Sequence, residues 1–212
     1  MRPLSTPRRT ARDCAVRRCP RDNASERALP RCHRRWQDDR VDDRRGGTGH
    51  VRLRPATVAD VETLVRWDSD PDVDASGGDD DEFDWAAEVP RSVGWREILV
   101  AEEDGRPVGV TVLIDAAREE THYWGDGVDP GAWAIDIWIG DAGDRNRGIG
   151  TLMMREAVER CFGAHGATSV LIDPLESNVG AIRFYERFGF VHEGPRRFGD
   201  DDCLVMRFAR RP

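Results

Sequence analysis

Three observations predict an α+β domain over residues 50–212, a mixed and mostly antiparallel sheet flanked by helices. "EILVAEEDGRPVGVTVLID" sets Asp104-Gly105 between two apolar runs, the signature of a tight β-hairpin. "WAIDIWIG" alternates as a strand and leads at once into a Gly-rich loop and a long apolar-periodic helix. "TSVLIDP" then reads as a buried strand, followed by a second helix and the closing strands "FVHEG" and "CLVMRFAR". Strands first, then strand and helix in alternation, build one mixed sheet.

The elements follow in order. "HVRLRPAT" is the first strand. Thr57 caps a helix, with Asp60 three residues on completing a capping box. That helix carries Val61, Leu64, Val65 and Trp67. An acidic loop, "DSDPDVDASGGDDDEFDW", follows, with a short helix expected from Phe83 to Val89. Its aspartates do not meet the calcium-loop pattern, so a solvated loop or a wall for a cationic substrate is expected. In the long helix, Ile149, Met153, Ala157 and Cys161 fall four apart, with Met154, Val158 and Phe162 beside them, and Gly163 and Gly166 mark its end. Ser177 is expected to start the last helix, with Ala181, Phe184, Tyr185 and Phe188 inward. Cys161 and Cys203 read as core thiols.

Charge divides the chain. Residues 1–49 carry 14 Arg against 7 Asp+Glu, and residues 50–212 carry 18 Arg against 33. The break marks a boundary near Gly46-Gly47. The first 49 residues have few large apolar groups and no period, which predicts a disordered Arg-rich tail or a misassigned N-terminal extension. Cys14, Cys19, Cys32 and His33 match no zinc spacing, so no metal is expected. Aspartates interrupt the basic run, which argues against a nucleic-acid partner. No 18-residue apolar run and no secretory signal are seen, so a cytoplasmic protein without a membrane span is expected. The chain has no lysine. A GC-rich codon bias and a salt-adapted host both account for that, and the sequence leaves monomer and homodimer open.

The stretch "DRNRGIGTLMMREAVERCFGAHG" carries the chemistry. A helix start leaves several N–H groups unpaired and partly positive. Gly148 and Gly150 let a ligand approach that backbone, and Arg145 and Arg147 add positive charge, a combination suited to phosphate. The loop is neither GxxxxGK[ST] nor GxGxxG. Upstream, Asp136 interrupts an apolar strand on the face opposite Ile135, Ile137 and Ile139, where a buried carboxylate is costly unless paired or used. Asp173 ends the strand "VLIDP", and strand ends in such sheets face the ligand crevice. An edge aspartate facing water and a turn-forming Asp-Pro are the plain alternatives for the two.

The R-x-x-G-x-G loop between strand and helix resembles that of the GCN5-related N-acetyltransferases (GNAT). So does "LIDPLESNVGAIRFYERFGF", in which Asn178, Ala181, Tyr185, Gly189 and Phe190 match the family's N-x-x-A-x-x-x-Y-x-x-x-G-F pattern. The resemblance covers roughly residues 50–212 and implies the GNAT acyl-CoA N-acyltransferase fold. It implies acetyl-CoA as co-substrate, no metal, and cofactor contacts from Ile137, Trp138, Ile139, Arg145, Asn146, Arg147, Gly148, Ile149, Gly150, Thr151, Asn178 and Tyr185.

A narrower likeness is to the aminoglycoside 6′-N-acetyltransferases. Trp124, Asp129, Pro130, Gly131, Ile135 and Asp136 match a W…DPG…ID run, and residues 173–190 match a DP-x-x-SN-x-x-AIR-x-YE-x-x-GF run. This implies a small-molecule amine acceptor, bound by Trp124, Asp129, Asp136 and Asp173. It implies Asp136 as base and Tyr185 as the acid beside the CoA sulfur. Thr121 departs from the pattern, standing where the family can place another carboxylate. Siderophore-type hydroxylamine acylation, protein N-terminal acetylation and non-catalytic acetyl-CoA sensing are the alternatives that the motifs leave open.

Overall fold

Asp104 (φ 52°) and Gly105 (φ 84°) reverse the chain between β2 (Arg96–Glu103) and β3 (Arg106–Asp115), the hairpin expected from the sequence. The computed structural model describes residues 50–71, 73 and 83–210. The tail of residues 1–49 and most of the acidic loop lie outside the described residues, and with them Cys14, Cys19, Cys32 and His33.

Seven strands form one sheet in the order β1-β2-β3-β4-β5-β7-β6. The remaining strands are β1 (Val51–Pro55), β4 (Ala132–Ile139), β5 (Ser169–Ile172), β6 (Val191–Phe198) and β7 (Asp201–Ala209). Every neighbouring pair is antiparallel except β4 and β5. The crossover between those two is α3 (Ile149–Gly163), as a parallel connection requires.

One face of the sheet is packed by α3 and α4 (Val179–Phe188). Met154, Ala157, Val158, Cys161 and Phe162 of α3 bury against Leu113, Trp133, Ile135, Val170 and Met206, with Ile182, Phe184, Tyr185 and Phe188 of α4 closing the same cluster. All seven periodic residues read in α3 are buried. Burial raises the Cys161 thiol to about 12, so it stays protonated and inert within the core.

The opposite face has two covers. Leu64 and Trp67 of α1 (Val61–Asp68), with Trp85 of α2 (Trp85–Glu88), pack on Val100, Val110 and Val112. Val65, read in the same helix, is 47% exposed. Trp124, from the loop between β3 and β4, packs with Ala132, Ala134, Leu171, Phe198 and Val205. The capping box at Thr57 and Asp60 is present and opens a 3-10 turn (Val58–Asp60) before α1. Arg54 donates to both Asp60 oxygens at 2.7 and 2.8 Å and holds that carboxyl down near 2.

One close approach ties α1 to the ligand end of the sheet. Gly140 follows β4, and a Cβ there would lie 2.0 Å from the Trp67 ring. No side chain fits at that position without moving a fully buried indole.

Candidate active site

The central strands part at β4. Its ladder with β3 runs the whole strand, from Asp115↔Trp133 to Gly109↔Ile139. Its parallel ladder with β5 runs only over Ala132, Ala134 and the residue between, ending at Ala134↔Leu171. Beyond that rung β4 runs on to Ile139 without a β5 partner, because β5 ends at Ile172, and this break in pairing is a gap in the middle of the sheet. Asp136 is exposed there, so the desolvation cost expected of a mid-strand aspartate is avoided. It is not an edge residue: β4 is the fourth of seven strands.

Two carboxylates, one of them at the gap, act electrostatically on one phenol. Leu171 packs on the face opposite α3, so Asp173, two residues further, belongs to that face, as does Asp136, two residues past Ala134. Tyr185 comes from the α4 side, its ring edge-on to Phe184 and Phe190. Its phenol is pushed above its ordinary value, first by burial and then by the negative charges of Asp136 and Asp173. The phenol is therefore a proton donor at neutral pH, with both carboxylates near enough to act on it.

The loop after β4 forms a second half-site. A 3-10 turn (Ala142–Asp144) leads to Asn146 (φ 62°) and then Gly148 (φ 84°), which stands at the N-cap of α3. Left-handed residues two apart in a turn are the kind of backbone from which anion nests are built. The first turn of α3 has no acidic residue, and Gly150 and Thr151 belong to it. This fits a pyrophosphate, with the residues from Asn146 to Thr151 as its cradle.

The arginines of this loop are not loose charges. Arg145 donates to Asp70 Oδ2 at 2.9 Å and to the Gly140 carbonyl at 3.4 Å. Arg147 donates to Asp144 Oδ1 at 2.6 Å and to both Glu103 oxygens at about 3 Å. Asp144 is buried and also accepts two bonds from Arg106. The arginines thus brace the loop, with their charge already paired to its own carboxylates and neighbours. The side chain of Ile149 is core, which leaves only its backbone to face a ligand.

Other predicted residues have different work. The last helix starts one residue later than expected: Asn178, not Ser177, is its N-cap, and its side chain accepts from Ala181 N at 3.0 Å. Trp124 is 5% exposed and, with Asp129, lines a cleft formed with Leu171, Arg196 and Arg207. Asp129 lies at the opposite end of β4 from the Gly loop and pairs with Arg207 at 3.2 Å. Tyr123, which the motif comparison passed over, donates its hydroxyl to Asp173 Oδ2 at 2.6 Å. The tyrosine beside the matched tryptophan was the signal available. Among the described residues, no group of three His, Cys, Asp or Glu side chains is arranged to hold a metal ion. Among them too, no helix is long and apolar enough to cross a membrane.

With this geometry in place, the comparisons with known proteins are direct. The model of the acetyltransferase (GNAT) domain matches residues 56–198. The chain belongs to the GNAT acetyltransferase family. It is similar to the aminoglycoside N(6′)-acetyltransferase type 1 of Klebsiella pneumoniae, 31% identical over 112 residues, which are 53% of this chain and 56% of that protein. The kanamycin resistance protein of Rhizobium radiobacter is 36% identical over 101 residues, 48% of this chain and 90% of that one. The crystal structure of aminoglycoside acetyltransferase AAC(6′)-Ib with coenzyme A and kanamycin superposes with a TM-score of 0.67. It is 26% identical and covers 76% of this chain and 95% of its own. The chain thus spans about half the length of the Klebsiella relative it matches.

Proposed function

We propose that the protein transfers acetyl from acetyl-CoA to a primary amine of an aminoglycoside-like, polycationic acceptor. The observation that carries this reading is the gap between β4 and β5. Asp136 stands at that gap, its charge and that of Asp173 act on the Tyr185 phenol, and the Gly loop and α3 follow directly, which supports the reading. The relatives named for aminoglycoside acetylation support the acceptor class.

In this reading the nest and the start of α3 hold the pyrophosphate of the co-substrate, and the parted backbone of β4 aligns its thioester. Asp136 takes a proton from the acceptor ammonium, directly or through water, so that the amine can attack. The new C–N bond forms as the C–S bond breaks, Tyr185 gives its proton to the departing thiolate, and the surplus proton on the new amide nitrogen returns to the Tyr185 phenolate, directly or through water. Asp173 holds the cationic acceptor. Positioning supplies much of the acceleration, since no covalent enzyme intermediate is needed. Residues 50–212 suffice for this activity, and a protein beginning at His50 keeps it.

A thiol-release assay with acetyl-CoA tests the reading over four acceptor classes: aminoglycosides, polyamines, hydroxylamines and peptides. Turnover of kanamycin and related aminosugars above the other classes is expected. Preference for hydroxylamines or peptides would replace the acceptor assignment. Acetyl-CoA binding without turnover of any amine would make the protein a sensor.

A further inference from the structure

Tyr123 is held on several sides. Its ring stacks on Phe198, with centroids 4.4 Å apart and planes 5° apart, and meets Trp124 edge-on at 5.6 Å. Phe198 packs in turn against Trp124 at 5.5 Å and lies under the Arg196 guanidinium at 4.6 Å. Arg196 donates to the Trp124 carbonyl at 2.8 Å, which ties the loop carrying Tyr123 to β6. A ring fixed in this way has little rotamer freedom left, so its hydroxyl points in a set direction. That direction is Asp173 Oδ2, at 2.6 Å.

A carboxylate has about four acceptor sites. One phenol bond therefore orients Asp173 without using up its capacity for an ammonium. A bond from a neutral donor to a charged acceptor is also among the stronger ones. A carboxylate already oriented loses less freedom when a cation arrives, which is how preorganisation raises affinity.

We propose that Tyr123 is a positioning residue for Asp173, and that its stack on Phe198 makes the β6–β7 hairpin a determinant of acceptor binding. This rests on Asp173 being an acceptor-binding group. Tyr123 shapes KM for the amine and has no part in the chemical step. Sequence and fold alone would pass it over, because it acts through another residue and its partner lies 50 positions away.

The test is steady-state kinetics with kanamycin and acetyl-CoA on the full chain, using Tyr123→Phe, Phe198→Leu, Asp173→Asn and the Tyr123→Phe/Asp173→Asn double variant. Tyr123→Phe keeps the stacked ring and removes only the donor. It should raise KM for kanamycin roughly 5–20-fold, part of what a lost hydrogen bond to a charged group costs outright. Its kcat, its KM for acetyl-CoA and its melting temperature should stay near those of the parent. Phe198→Leu should shift KM the same way by less. In the Asp173→Asn background, Tyr123→Phe should add nothing. Undiminished additivity there, or an unchanged KM in Tyr123→Phe beside a raised one in Asp173→Asn, overturns the positioning role and leaves the acceptor site standing. An unchanged KM in Asp173→Asn sinks the acceptor role of Asp173 and this inference with it. Where kanamycin is not turned over, the best amine of the acceptor panel serves as probe. No turnover of any amine overturns both.

Discussion

Asp136 lies directly across from Val112 on β3, two residues past the last rung that joins β4 to β5. The strand is therefore anchored on one side and open on the other at the position of the carboxylate. An acceptor amine can approach Asp136 from the open side while β3 keeps the backbone in register. Asp136→Asn keeps the shape and removes the basicity. We expect kcat to fall by ~10²–10⁴ near neutral pH, with partial recovery at alkaline pH as free amine accumulates. A near-normal kcat across pH, measured by thiol release, would reassign the base.

Tyr185 gives a prediction of opposite kind. Its phenol ordinarily ionises near 10, and burial with two nearby carboxylates moves it upward. The acid form thus persists through the whole working range and is lost only well into alkali. The profile of kcat should show no falling limb between pH 7 and 10 from this group. Tyr185→Phe should lower kcat by ~10-fold or more, on the lower side of general-acid contributions, with little change in KM for acetyl-CoA. A loss of activity centred below pH 9 in the parent, absent from Tyr185→Phe, would contradict the assignment.

Much of this site was legible in the sequence, and the reasons differ by residue. Spacing alone placed all the buried positions of α3, because a 3.6-residue period has one inward face. The hairpin at Asp104-Gly105 was equally plain, since few dipeptides accept two positive φ angles. Asp136 and Asp173 could be marked as charges out of place on apolar strands, yet the gap at Asp136 depends on where the pairing of β4 with β5 ends. No local pattern encodes that break in pairing. The motif match also drew in Trp124 and Asp129; one packs in the core and the other pairs with Arg207, and both line one cleft, a neighbourhood set by contacts between distant segments. The bracing of Arg145 and Arg147 was hidden for the same reason, since Asp70 and Glu103 are distant in sequence.

Gly148 should be the most sensitive position of the anion nest. At φ 84° any side chain is strained, although space around it is open. Non-glycine residues in that region cost about 1–2 kcal/mol. Gly148→Val should therefore weaken acetyl-CoA binding by roughly 5–30-fold, more if the branched side chain also meets phosphate. Calorimetry with coenzyme A on the folded variant checks this, and unchanged affinity would move the cofactor elsewhere.

Acid stability should depend on Asp60. Its carboxyl is held near 2, chiefly by the Arg54 bonds, against an ordinary value of 3.8. A folded-state value below the unfolded one adds stability that is complete above about pH 4 and fades as pH falls toward 2. Asp60→Asn should cost ~1.5–3 kcal/mol at pH 7, the scale of hydrogen bonds to a charged group. The deficit relative to the parent should shrink between pH 4 and 2, read by urea melts across that range. A deficit independent of pH would show that the carboxylate charge is immaterial there.

Cys161 has a use beyond packing. It has no exposed surface, and its thiol stays protonated up to about pH 12. Alkylating reagents consume thiolate, so the folded molecule presents them with neither access nor the reactive form. Modification of Cys161, followed by mass spectrometry of its own peptide, therefore times the separation of α3 from the sheet. The same measurement repeated with coenzyme A bound becomes a stopwatch for how strongly the ligand clamps the two together, with no dye, tag or added probe in the protein.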